Sequence, residues 1–165
     1  MLYRANIAGM IMDQRSNTPM IFLKSIDDDQ GILIWIGILE AASIASALQK
    51  FTFDRPMTHD LFKNLIENMD ITVSNIEIYD LKESTYYAKI NFLSKENSFS
   101  LDARPSDAIA IALRFGALIY VDDKVFKKFK HMNGDIEIFD TSEDGKKWAE
   151  YLNNLKPEDF SKYKI

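Results

Sequence analysis

The spacing of apolar residues along this chain changes twice, in the same order each time. From Met1 to Asp13 and from Met20 to Ile26 apolar positions form strand-like runs around Ser16-Asn17-Thr18-Pro19, which predicts a loose hairpin. A second turn, Asp27-Asp28-Asp29-Gln30-Gly31, precedes Ile32-Leu33-Ile34-Trp35-Ile36. That run is apolar at every position, the pattern of a strand covered on both faces. Beyond Gly37 the period lengthens: Ile38, Ala41, Ala42, Ala45 and Leu48 predict a helix over about 38–51. Thr58 then reads as the N-cap of a second helix reaching about Met69, with Leu61, Leu65 and Ile66 on its buried side.

The second half repeats this order. Three strands are expected over Ile71–Asp80, Thr85–Leu93 and Ser98–Ala103, followed by a helix capped by Ser106 and ending near Gly116. An offset of 67 residues lays Glu40-Ala41-x-x-Ile44-Ala45-x-x-Leu48 over Asp107-Ala108-x-x-Ile111-Ala112-x-x-Phe115. The reading is an internal duplication, about 4–50 and 71–117, of a β-β-β-α unit. A short strand (Leu118 to Val121), a basic helix from Asp122-Asp123-Lys124 to about Lys130 and a loop over His131-Met132-Asn133-Gly134-Asp135 come next. A helical tail, about 143–165, holds Trp148, Tyr151, Leu152 and Leu155 on one side of a helix that Pro157 stops. The expected class is α+β: duplicated units forming a mixed or antiparallel sheet packed with helices, plus a C-terminal helix.

Composition narrows the chemistry. A chain of 165 residues, 47% hydrophobic, fits one domain over 1–165. It has no cysteine, so disulfides and thiolate zinc sites are unavailable. No run approaches the roughly 18 apolar residues of a membrane helix, and a cytoplasmic location without membrane partners is expected. The formal net charge of −5 disfavours broad adhesion to polyphosphate, so any nucleic-acid contact must be local.

Candidate chemistry concentrates at two Arg-Pro turns, Arg55-Pro56-Met57-Thr58-His59-Asp60-Leu61 and Asp102-Ala103-Arg104-Pro105-Ser106-Asp107-Ala108. Glu40 and Asp107 occupy equivalent first-turn positions, where a helix dipole favours a carboxylate; alternatively they hold a divalent cation or divide acid and base roles. Arg104 either forks onto phosphate oxygens or pins its turn to a carboxylate such as Asp102, and Arg55 has the same choice with Asp54 or Asp60. His59 beside Asp60 is a candidate general base or leaving-group acid, or else a hydrogen-bonded corner. Ser106 reads as a cap more readily than as a nucleophile. Tyr86-Tyr87 reads as packing before base stacking. Lys124, Lys127, Lys128 and Lys130 form the main basic cluster. A glycine-rich phosphate loop, a Gly-x-Ser-x-Gly elbow and a His-Glu-x-x-His pair are all missing.

Both turns, the trailing Leu113-Arg114, Glu40-Ala41-x-x-Ile44-Ala45 and Leu155-x-Pro157-Glu158-Asp159-Phe160 together resemble the bifunctional nuclease family. The resemblance implies an α+β domain acting on DNA and RNA. On that expectation His59, Asp60, Glu40 and Asp107 are catalytic, Arg55, Arg104 and Arg114 bind substrate, and Asp102, Asp107 and Glu40 hold Mg²⁺ or Mn²⁺. The alternative is a non-catalytic regulatory or binding module with structural polar corners. Self-association is expected from exposed strand edges.

Overall fold

The computed structural model describes residues 1–13 and 16–133. The first half contributes β1 (Leu2–Asp13), β2 (Thr18–Ser25), β3 (Gly31–Trp35), α1 (Ile38–Leu48) and α2 (Thr58–Asn68). The second contributes β4 (Thr72–Lys82), β5 (Thr85–Leu93), β6 (Ser98–Ala103), α3 (Pro105–Phe115), β7 (Leu118–Asp122) and α4 (Asp123–Asn133). The class is α+β, as expected.

The seven strands among the described residues form one mixed sheet in the order β3-β2-β1-β7-β4-β5-β6. The two meanders sit on either side of β7, which runs antiparallel to β1 and parallel to β4. Thr18, Gly31 and Ile38 open β2, β3 and α1; Thr85, Ser98 and Pro105, each 67 residues on, open β5, β6 and α3. Order and spacing therefore recur, although recurrence alone does not confirm a duplication. Glu83 and Ser84 both take positive φ between β4 and β5, as a two-residue hairpin turn matched to strand twist requires.

The core lies between one sheet face and the helices. Along β4, Ile76 and Ile78 are fully buried while Glu77 between them is not, the alternation of a sheet packed on one side. Ala108, Ile109, Ala110, Ile111 and Ala112 of α3 are all buried, so this helix is enclosed rather than amphipathic at the surface. Its alanines, with Ala41 and Ala45 of α1, keep the side chains between the two helices small where they pack together. Pro105 occupies the first turn of α3, where its missing N–H costs nothing, and Gly116 closes the helix at φ 64°.

Several local expectations are corrected. Thr58 and Ser106 lie inside their helices; the N-cap residues are Met57 and Arg104, both extended. Asp60 caps α2 instead, its Oδ2 accepting the Met57 backbone N–H at 3.0 Å. Helix α2 buries Ile66 and packs Phe62 against the core, leaving Leu61 and Leu65 exposed. Its orientation is set by the face that carries His59 inward. Strand β3 buries Ile32, Leu33 and Ile34 yet lies at a sheet edge, and Trp35 is exposed. His131, expected in a loop, falls within α4. The predicted helix over 143–155 and the Leu155 to Phe160 motif lie outside the described residues.

Candidate functional site

Three helices deliver their first turns to one seam. Glu40 enters from α1, His59 and Asp60 from α2, and Arg104 and Asp107 from the start of α3. The reason is visible in the chain: β3 and β6 each end in a short turn that starts a helix, so the third residue of each helix is carried to the same corner. Gly37, the N-cap of α1, leaves space for the Glu40 carboxylate; a Cβ there would run into it.

Arg104 joins the two halves. Its Nε and Nη2 donate to Asp107 Oδ2 and Oδ1 at 2.7 and 3.2 Å, and its Nη1 lies 2.9 Å from Glu40 Oε1. The guanidinium lies between two carboxylates that like charge would otherwise push apart. It is also the most open member of the cluster, with 65% of its side chain exposed. His59 Nε2 lies 3.0 Å from Asp107 Oδ1, and its Nδ1 lies 2.8 Å from Ser43 Oγ of α1. His59 is 17% and Asp107 31% exposed, so water reaches the edge of the cluster.

Arg114 forms the floor. Only 7% exposed, it donates from Nε to Asp60 Oδ1 at 2.6 Å and from Nη1 to the backbone carbonyls of Ala110 and Ser43 at 3.0 and 3.3 Å. Each of its contacts ties α3 to itself or to a neighbouring helix.

Partial burial on its own raises the pKa of the Asp107 carboxyl, but hydrogen bonds from Arg104 and then His59, with their charges, bring it below the ordinary carboxylate value. Arg104 is held above its ordinary value, chiefly by its bonds to Asp107. An ionised Asp107 requires His59 to carry its hydrogen on Nε2, which leaves Nδ1 to face Ser43.

Of the expected site residues, Glu40, His59, Asp60, Arg104, Asp107 and Arg114 come together. Asp102 does not: it stays on β6, where its Oδ1 accepts the Tyr79 hydroxyl at 3.3 Å. Burial first, and the Asp102 charge second, hold that phenol above its ordinary pKa. Arg55 is exposed in the loop before α2 and makes no ion pair among the described residues. The expected trio of Glu40, Asp102 and Asp107 is therefore not assembled, and no group of three or more acidic or histidine side chains is arranged to hold a metal among the described residues. Where a cation was expected between Glu40 and Asp107, a guanidinium stands. The donor set does not fit a metal in this arrangement.

The basic cluster of α4 is engaged as well. Lys128 donates to Asp80 Oδ1 at 2.7 Å, Lys124 Nζ lies 3.9 Å from Asp80 Oδ2, and Lys127 pairs with Asp123. Tyr86 is a packing residue whose hydroxyl donates to the Leu33 carbonyl at 2.9 Å. Sequence reasoning missed Ser43. Helix α1 carries Glu40, Ser43 and Ser46 at successive i+3 steps on an otherwise apolar helix, a pattern that marks a polar stripe without singling out Ser43.

Residues 21–133 match the family model described as the bifunctional nuclease domain, and the chain belongs to that family. An uncharacterised protein of Mycobacterium tuberculosis is 34% identical over 159 residues, 93% of this chain and 95% of its own length. Bifunctional nuclease 1 of Oryza sativa subsp. japonica is 31% identical over 123 residues, 70% of this chain and 37% of that protein. Bifunctional nuclease 1 of Arabidopsis thaliana is 33% identical over 102 residues, covering 58% and 31%. The matched region thus spans about a third of either plant relative.

Proposed function

We propose that this protein is a nuclease that hydrolyses phosphodiester bonds of DNA and RNA at the seam of α1, α2 and α3. One observation carries the reading: acids, a histidine and an arginine from both halves of the chain meet in a single bonded cluster that stays partly open to water. In it Asp107 orients and charges against His59, His59 moves the proton, and the exposed Arg104 receives phosphate. Glu40 holds Arg104 in place. Asp60 and Arg114 brace the helices from below, and Arg55 adds a peripheral phosphate contact. Membership of the family, and the names of its plant members, support the substrate class. No step is routed through a metal, since the carboxylates are already engaged by Arg104.

The test is cleavage of a labelled oligonucleotide by His59→Ala and Asp107→Asn, with folding confirmed by circular dichroism. Loss of cleavage in both supports the assignment, and wild-type rates in both reject it. A second reading, a non-catalytic binding module, is favoured by the internal partner that every charged member of the cluster already has. Titration with single-stranded nucleic acid at low and high salt separates the two, because absence of binding at low salt favours the module.

A further inference from the structure

Both ring nitrogens of His59 are occupied. Nε2 faces Asp107 Oδ1 at 3.0 Å and Nδ1 faces Ser43 Oγ at 2.8 Å. A histidine in that position has no free nitrogen with which to activate a water molecule. The proton it is placed to take is that of the Ser43 hydroxyl. Asp107, gripped by Arg104 through both oxygens, is held as the anion that stabilises a charged imidazole.

We propose that Ser43 is the nucleophile of this site, and that Ser43, His59 and Asp107 form a serine–histidine–aspartate relay drawn from α1, α2 and α3. The inference rests on the nuclease reading for its substrate class, a phosphodiester, but its geometry stands apart from it. Nothing in the sequence marks the serine: it lies on a helix rather than in a strand-to-helix elbow, and the relay exists only once α2 docks across α1 and α3. The order of nitrogens is inverted relative to the chymotrypsin arrangement, with Nε2 on the aspartate and Nδ1 on the serine. Either nitrogen serves, provided the other is fixed by the carboxylate.

The chemistry balances in two displacements. Ser43 Oγ attacks phosphorus, its proton passes to His59 Nδ1, an Oγ–P bond forms, and the bond from phosphorus to one ester oxygen breaks. The departing alkoxide takes the proton from His59. With Ser43 now esterified, Nδ1 is free to accept a proton from water; the water oxygen bonds to phosphorus, the Oγ–P bond breaks, and Oγ recovers the proton. Arg104 uses three of its N–H groups on Asp107 and Glu40. Two of the five such groups of a guanidinium remain for the phosphoryl oxygens.

Two displacements at phosphorus give retention of configuration, and one gives inversion. The deciding experiment cleaves a stereodefined phosphorothioate oligonucleotide in ¹⁸O-water with wild-type protein and with Ser43→Ala, folding of the variant being checked by circular dichroism and thermal melting. Retention, with cleavage by Ser43→Ala reduced at least about 10³-fold, is expected. Inversion, or wild-type cleavage by folded Ser43→Ala, overturns Ser43 while leaving the nuclease reading intact. If Ser43→Ala does not fold, the stereochemical outcome of the wild type decides alone. If wild-type protein leaves oligonucleotides uncut, the nuclease reading fails, and bis(4-nitrophenyl) phosphate becomes the probe. A phosphoryl adduct mapped by mass spectrometry to Ser43 then sustains the relay, and an unmodified Ser43 overturns it.

Discussion

His59 Nε2 lies 3.0 Å from Asp107 Oδ1, joining the first turn of α2 to the first turn of α3 across 48 positions of sequence. That contact makes one site out of two Arg-Pro turns. It also fixes the orientation of α2, because a helix that carries His59 inward must turn Leu61 and Leu65 outward.

Arg104 separates two carboxylates, so removing it has a double consequence. Arg104→Gln leaves Glu40 and Asp107 facing each other without a cation, and Asp107 loses the largest influence lowering its pKa. Cleavage is expected to fall about 10²-fold, as when one oriented charge-stabilising donor is removed. NMR titration should show the Asp107 carboxyl moving up toward its ordinary value.

Acid sensitivity follows from two carboxylates. Asp80 is lowered to about 2, first by its hydrogen bond from Lys128 against the opposing effect of burial, and Asp107 is also below its ordinary value. A carboxyl whose folded pKa lies below the unfolded one stabilises the fold above the unfolded value and loses that contribution as pH falls through the folded value. For Asp80 the window runs from 3.8 down to about 2. Urea unfolding should show wild-type stability dropping across it, and Asp80→Asn should flatten the drop while costing roughly 1–2 kcal/mol near neutrality.

Arg114 is expected to matter for stability before activity. Arg114→Ala leaves Asp60 without its ion-pair partner and strips hydrogen bonds from the Ser43 and Ala110 carbonyls. The cost is about 2–4 kcal/mol, somewhat below that of breaking a fully buried pair because Asp60 is 32% exposed. Thermal melting measures it directly.

Arg55 gives the opposite signature. Exposed and without an ion pair among the described residues, it can be replaced by alanine with no change in melting temperature. If it meets a phosphate, Arg55→Ala weakens nucleic-acid binding and reduces the salt slope by about one. Binding titrations at several salt concentrations show whether it does.

Much of this was legible in the chain because period and punctuation are local. The alternation in β4 and β5, Pro105 at the first turn of α3 and Gly116 at its end each act within a few residues. The 67-residue offset also makes Glu40 and Asp107 equivalent positions in the sequence itself. What escaped depends on docking. Asp102, only five residues before Asp107, leaves the site because it belongs to a strand on which it meets Tyr79. Ser43 enters because α1 and α2 both pack on α3, which brings it to His59, a juxtaposition with no sequence signature of its own. The helix caps were misplaced because Met57 and Arg104 hold extended backbone without side-chain caps, while the more familiar capping residues Thr58 and Ser106 stand just after them.

The most direct measurement is single-turnover cleavage of an end-labelled oligonucleotide by wild-type protein and by folded His59→Ala and Asp107→Asn. A drop of about 10² to 10⁴ in both variants is the predicted result, the range for losing a positioned proton-transfer group. Equal rates in all three proteins would show that the seam of α1, α2 and α3 is a brace and not a site of hydrolysis.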